Sequence, residues 1–337
     1  MIRFIRNTLN PACFHGQNKR PPFFEGWYFK LVDANEKLSY AIIPGIFLSD
    51  DPVKSHAFVQ IFDGQNCKCT YHSYSIEDFF AATGVFDVRI GENRFTPGFI
   101  SLNISDTSRD IRGDIYLRNV SPWPVTLLSP GIMGWYAWMP FMQCYHGVVS
   151  LDHKLEGGLT IDNREIDFTS GRGYTEKDWG HSFPECWVWF QSNHFSQPQT
   201  SITASTAIIP WIRGAFPGFI IGLWHEQQLY RFATYTGAQI ESLEINEKKV
   251  SWVVRNKRYR LEMLATPSDK TGFLQAPTTN GMNRQISETL NATIEVQLSL
   301  FEGSKPHRIF NDTGRHAGME MVGELTKLVA MWQLGTN

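Results

Sequence analysis

Short runs of β-branched and aromatic residues, separated by clusters of Gly, Pro, Asn and Asp, recur along the whole chain. Trp27–Val32, Tyr40–Ile43, Ala57–Phe62, Phe99–Ile104, Asp110–Leu117, Cys186–Gln191, Ser201–Ile208, Phe219–His225, Val250–Arg255 and Thr293–Phe301 are among them. Such runs, bounded by turn residues, predict strands joined as meanders, and hence sandwiches or barrels. Helical periodicity is confined to Ile76–Ala82 and Leu325–Gln333. Strands and helices do not alternate regularly, so a doubly wound α/β fold is excluded.

The period-2 pattern also sorts side chains. If Trp187 to Asn193 is extended, Trp187, Trp189, Gln191 and Asn193 share one face, and Val188, Phe190 and Ser192 the other. The second face suits a packed core. The first, aromatic with amides, suits a ligand wall. The segment Glu25-Gly26-Trp27-Tyr28-Phe29-Lys30 has a counterpart in Glu185-Cys186-Trp187-Val188-Trp189-Phe190, about half a chain later. This echo predicts two similar barrels, each opening on a Trp-bearing strand. The expected division is 1–168 and 169–337.

Composition narrows the function. The chain has 337 residues, 42% of them hydrophobic and 19% charged, enough for two packed domains. With 31 basic and 33 acidic residues, no basic excess exists to neutralise a phosphate backbone, and nucleic-acid binding is not expected. Aromatic residues make up 14%, including 11 Trp and 24 Phe. They supply large buried areas and π faces. The five cysteines, Cys13, Cys67, Cys69, Cys144 and Cys186, are an odd number. The N-terminus MIRFIRNTLNP is too short and interrupted for a signal peptide, so reduced thiols and a cytoplasmic location are expected. No apolar run approaches the ~20 residues of a spanning helix. Two stretches, 130–149 and 207–223, are oily but broken by Gly and Pro. They read as loops for packing, or as a rim that touches a membrane and admits a lipid-like substrate.

Cofactor signatures are missing. Gly171-Arg172-Gly173 lacks the third glycine of a dinucleotide loop, and neither a Walker loop nor a G-x-S-x-G elbow occurs. Cys67 and Cys69 have no second pair at metal spacing. No metal or cofactor is therefore expected, and side-chain proton transfer is the favoured chemistry. The densest polar cluster is Tyr174-Thr175-Glu176-Lys177-Asp178-Trp179-Gly180-His181-Ser182-Phe183-Pro184. In an extended stretch Glu176 and Asp178 face one way, and Lys177 and Trp179 the other. A carboxylate against apolar walls is pushed toward its protonated form by desolvation. The same cluster also reads as a polar turn with a structural salt bridge.

Two segments, Phe23-Phe24-Glu25-Gly26-Trp27-Tyr28 and Glu176-Lys177-Asp178-Trp179-Gly180-His181-Ser182-Phe183-Pro184 followed by Trp187, Trp189 and Gln191, resemble the hallmark stretches of the tocopherol cyclase family. That family is similar in turn to carotenoid hydratases and other proteins of paired lipocalin-like barrels. The resemblance implies a mainly β fold, two antiparallel lipocalin-like barrels packed side by side, with no metal or organic cofactor. It implies acid-catalysed closure of a chromanol ring on a prenylated benzoquinol, a hydrophobic small-molecule partner. Asp178 is then the expected proton donor, tuned by Glu176 and His181. Trp27, Trp179, Trp187 and Trp189 would line the cation site, with Glu25 beside them at the start of its strand, and Gln191, Asn193 or Tyr28 would orient the quinol hydroxyls. A carrier of a hydrophobic isoprenoid, and an isoprenoid hydratase or isomerase, are the alternative readings.

Overall fold

The computed structural model describes residues 2–302 and 305–334. The chain divides into two compact units. One comprises residues up to Phe183 together with Gly272–Ile286, the other Pro184–Thr271 together with the chain from Ser287 onward. Each is built on a long antiparallel sheet, and helices are few.

In the first unit the strand order is Lys68–Tyr74, His56–Asp63, Ser39–Leu48, Phe23–Val32, Arg172–Gly180, Cys144–Ile161, Asp110–Arg118, Phe99–Ser105, Asn93–Thr96, Val88–Ile90 and Phe79–Ala81. The sheet curls round one core without hydrogen-bonding its two end strands to each other. In the second unit the order is Gln228–Ala233, Gly214–His225, Ser201–Trp211, Trp187–Ser192, Lys305–Val322, Gly281–Glu302, Tyr259–Thr266, Lys249–Arg255 and Gln239–Asn246. In each sheet the Trp-bearing first strand sits between its hairpin partner and the last long strand, as the sequence echo suggests. The faces differ, however. Trp27 is in the first core, whereas Val188 and Phe190, not Trp187 and Trp189, are in the second. Glu25 is sealed from solvent, while Glu185 is exposed and pairs with Lys327.

Several local expectations are corrected. The Arg172–Gly180 strand lies beyond position 168, yet it pairs with Phe23–Val32 on one side and Cys144–Ile161 on the other, in the first sheet. The Gly272–Thr278 strand also returns to the first unit, where Gln60 and the Gln275 backbone exchange hydrogen bonds of 3.0 and 2.9 Å. Ile76–Asp78 is a single 3-10 turn leading into the Phe79–Ala81 strand, not a longer helix. The 207–223 stretch is not a loop but most of a hairpin, with Trp211 opposite Gly214. The 130–149 stretch contains a 3-10 turn, Gly134–Trp138, and then enters the Cys144–Ile161 strand. The helix Leu325–Leu334 lies where the sequence expects one, with Leu328 packed on Cys186 and Ile208.

A buried polar knot fixes the Arg172–Gly180 strand. Alternation turns Lys177 and Trp179 inward. The Lys177 Nζ lies 2.5 Å from Glu25 Oε1, and both side chains have no exposure. It also donates to the carbonyls of Pro11 (3.1 Å) and Cys13 and to His15 Nδ1 (2.8 Å). It sits 4.9 and 4.6 Å from the ring centroids of Trp27 and Trp179. The Glu25 carboxylate accepts the His15 backbone N–H at 2.9 Å on each oxygen. His15 stacks on Trp179, with centroids 4.3 Å apart. Since Nδ1 accepts from Lys177, the His15 proton is on Nε2, donated to the Asn7 carbonyl at 3.1 Å. The Trp27 indole N–H is given to the Ala12 carbonyl at 3.0 Å. The knot thus ties the N-terminal segment across the first core. Burial pushes the Glu25 carboxyl up, but the Lys177 ammonium and the His15 contacts outweigh it and hold the group below its ordinary range. Burial lowers Lys177, and burial with the adjacent ammonium lowers His15. A buried ion pair survives only when its remaining hydrogen-bonding capacity is met, as it is here.

The strand ends at Gly180, whose φ of +152° is open to glycine and whose added Cβ would lie 2.2 Å from the Gln143 carbonyl oxygen. Gly180→Ala is expected to cost at least about 2 kcal/mol, the scale of backbone strain at such positions, read as a fall in the urea midpoint. An unchanged midpoint contradicts the assignment. A second expectation concerns pH. His15 is held neutral in the fold, below its ordinary value of 6.5, so its contribution to stability is complete above pH 6.5 and is lost as pH falls. Glu25, held below 4.5, acts in the same sense at lower pH. His153, pushed down to about 3 by burial, adds to the slope in the parent and in a His15→Gln variant alike. Unfolding stability should therefore decline between pH 6.5 and 4.5, and less steeply in His15→Gln than in the parent. Equal slopes would contradict the neutral tautomer.

Candidate active site

The opposite face of the Arg172–Gly180 strand carries Tyr174, Glu176 and Asp178. Antiparallel register places His146, on the Cys144–Ile161 strand, directly across from Asp178, and Val148 across from Glu176. The His146 Nδ1 lies 2.9 Å from Asp178 Oδ1, and its Nε2 3.6 Å from Glu176 Oε2. Tyr174 Oη donates to Glu176 Oε2 at 2.6 Å. The cluster is graded in exposure: the side chain of Glu176 is 6% exposed, His146 13% and Asp178 27%. On its other side Asp178 is opposite Gly26, which presents no side chain beside the carboxyl. Cys144, two residues from His146, is half-buried, and its thiol is pushed well up, by desolvation first and by Asp178 second.

The geometry orders these groups. Tyr174 gives its only proton to Glu176, so Glu176 accepts there. Asp178 holds one edge of the imidazole by a hydrogen bond, and Glu176 lies near the other edge, beyond hydrogen-bonding distance. A proton on Nδ1 can pass to Asp178, the member reachable from outside. Carboxylate–imidazole chains of this kind orient and supply protons in acid–base catalysis. The same donor atoms, one from each of His146, Glu176 and Asp178, lie within 4.8 Å of one another. One imidazole and two carboxylates also suit a divalent transition-metal ion, so the cluster can hold a metal although none was expected from cysteine spacing.

The expected site residues separate into three places. Asp178 and Glu176 are together, as the alternation requires. His181, expected to tune them, follows the strand end and is exposed, and its backbone N–H bonds the Gln143 carbonyl. His146 takes the position expected for it. Glu25, Trp27 and Trp179 belong to the sealed knot, and the π faces of both indoles are already taken by the Lys177 ammonium. Tyr28 is buried on the same side of its strand as Gly26, opposite Glu176. Trp187, Trp189, Gln191 and Asn193 lie in the second unit. The Trp187 indole donates to Glu320 at 2.7 Å. Asn193 lies just past the strand end, its Oδ1 3.1 Å from the His194 ring. Gln191 has no exposure, and among the described residues neither end of its amide has a hydrogen-bond partner. A buried unpaired amide costs on the order of 1–3 kcal/mol, which marks Gln191 as a position waiting for a polar group.

His146 is the functional candidate that reading the sequence alone missed. It lies in the oily 130–149 stretch. The available signal was the alternation Cys144, His146, Val148 entering a strand whose next charged residue is Asp152.

A family model described as tocopherol cyclase-like matches residues 92–323, a span that includes His146, Glu176, Asp178 and Gln191 but not Glu25 or Trp27. The tocopherol cyclase, chloroplastic, of Zea mays is 27% identical over 208 residues, covering 56% of this chain and 41% of that protein. The probable tocopherol cyclase, chloroplastic, of Oryza sativa subsp. japonica is 26% identical over 230 residues, covering 63% and 47%. The chain thus spans about half the length of the curated relatives it matches. Among solved structures, CghA with Sch210972 superposes with a TM-score of 0.54 at 10% identity, over 90% of this chain and 89% of that one. CghA itself gives 0.53 at 9% identity over the same shares. At that identity the likeness extends to the fold alone, two antiparallel lipocalin-like sheets in one chain. The family match over residues 92–323 makes the chain a member of the tocopherol cyclase-like family.

Proposed function

We propose that the protein is a cofactor-free cyclase that closes a chromanol ring on a prenylated benzoquinol, with Asp178 as the proton donor. The observation that carries this reading is the 2.9 Å contact between His146 Nδ1 and the partly exposed Asp178, backed by the buried Glu176. Family membership supports the reaction class, and the names of the maize and rice relatives support the substrate class.

The chemistry balances without any added reagent. The Asp178 carboxyl gives its proton to the less substituted carbon of the trisubstituted alkene, leaving a tertiary cation. The phenol oxygen attacks that cation and forms the ring C–O bond. The phenolic proton returns to the Asp178 carboxylate, so substrate and product are isomers. Protonating an isolated alkene needs an acid with little competing water, and the cation gains from nearby negative charge. His146 reloads and orients Asp178, and the Glu176 carboxylate, held by Tyr174, favours a proton on the facing imidazole.

The test is turnover of a phytylated benzoquinol in deuterated water, read by mass spectrometry. The expected product is a chromanol carrying one carbon-bound deuterium. Asp178→Asn should lower turnover by about 10²- to 10⁴-fold, the usual share of a general acid, and His146→Gln should also lower it. EDTA treatment should leave the rate unchanged. A labelled tertiary alcohol instead of a chromanol would identify a hydratase, and ligand retention without label a carrier. A rate lost to EDTA and restored by a divalent ion would give the three side chains to a metal. Full turnover by the Asp178→Asn protein would remove Asp178 as donor.

A further inference from the structure

The first unit carries an apolar surface that neither its core nor the proposed chemistry uses. It begins with the helix Ile2–Thr8, where Ile2 is 84% exposed and Phe4 and Ile5 are also exposed. It continues into the segment before the Cys144–Ile161 strand, where Leu127 is 64% and Leu128 86% exposed, with Trp135 and Phe141 also exposed. The two parts are physically joined. The Phe4 and Trp138 rings are 5.9 Å apart, and the Trp138 indole donates to the Leu127 carbonyl at 3.0 Å. Asn10 fastens the chain after the helix to the Gly84 carbonyl at 3.0 Å, beside exposed Val85. Exposed large apolar side chains are ordinary when scattered, but a linked group of them marks an interaction surface.

Charge selects the partner. Between Asn119 and Leu151 no Asp, Glu, Lys or Arg occurs, and up to Phe24 the chain has Arg3, Arg6, Lys19 and Arg20 without one acidic residue. Arg3 and Arg6, with Ile2, Gln17 and Thr83, line a groove of about 400 Å³ at the edge of the patch. Arg3 is held there by Gln17, which in turn donates to Thr83 at 2.8 Å. Exposed Leu and Phe, neighbouring Trp and Tyr rings, and arginines at the border are the composition of a surface that lies in a lipid interface. A twofold contact between copies of this patch would instead set arginine against arginine.

We propose that this face, the Ile2–Thr8 helix with the segment from Val125 to Phe141, docks the protein on an anionic lipid surface. The leucines and aromatic rings enter the headgroup–acyl boundary, and Arg3 and Arg6 meet lipid phosphates. The proposal stands independently of the reaction assigned to Asp178.

The experiment is co-sedimentation of the full chain with phosphatidylcholine vesicles, with and without phosphatidylglycerol, at low and high salt. Binding is expected to the anionic vesicles and to weaken as salt screens the arginines. Arg3→Glu with Arg6→Glu should weaken it by at least about 5-fold per arginine. Leu127→Asp with Leu128→Asp should weaken it by at least about tenfold. Both pairs of changes are at surface positions, so thermal unfolding should match the parent, and turnover of soluble substrate should be retained. Absence of binding to anionic vesicles overturns the proposal, as does binding untouched by the leucine changes. Concentration-dependent self-association abolished by the leucine changes, without vesicle binding, also overturns it and makes the face a contact between copies.

Discussion

The buried ion pair of Lys177 and Glu25 is the constraint on which the arrangement of the first unit depends. An ammonium without exposure is tolerable only with a counter-charge and acceptors on every remaining proton. Here those come from Glu25, His15 and two backbone carbonyls of the N-terminal segment. Meeting that demand settles which face of the Arg172–Gly180 strand is inside. Once Lys177 and Trp179 point inward, alternation leaves Glu176 and Asp178 no choice but the other face, where His146 stands opposite. A single polar segment of sequence is thereby divided into a sealed half that holds the fold and a half that carries the proposed site.

This division explains what could and could not be read from the chain. Period-2 reasoning assigns Glu176 and Asp178 to one face and Val188 and Phe190 to one core, and both hold in the structure. It cannot say which of two faces is buried. Trp27 and Trp179 were expected beside a substrate cation because indole faces attract cations. They do attract one, but it is the protein's own lysine. His181 was grouped with the acids by proximity in sequence, yet the backbone turn at Gly180 ends the alternation before it. His146 was hidden because the glycines and prolines of 130–149 suggest a loop, whereas its last residues are already strand. The 207–223 stretch misled for the same reason. Its prolines lie near the distal end of a hairpin, opposite Ala215 and Ile208, rather than in a loop.

The two units share a topology but use their first strands differently. In the first, the aromatic face is turned into the core to hold an ion pair. In the second, aliphatic and Phe side chains fill the core, and Trp187, Trp189 and the buried Gln191 are turned the other way. The same strand position thus serves stability in one unit and offers polar and aromatic groups in the other. Membership of the tocopherol cyclase-like family is consistent with a scaffold that keeps its barrels and changes what their strands present.

Neighbouring residues of one strand have opposite duties, Lys177 holding the fold and Asp178 standing as the proposed proton donor. Urea unfolding of Lys177→Met and Asp178→Asn, measured side by side, separates the two duties. Lys177→Met should lose about 3–5 kcal/mol, the cost of stranding a buried partner charge, while Asp178→Asn should stay within about 1 kcal/mol of the parent. Comparable losses in the two proteins, or the larger loss in Asp178→Asn, would contradict that separation.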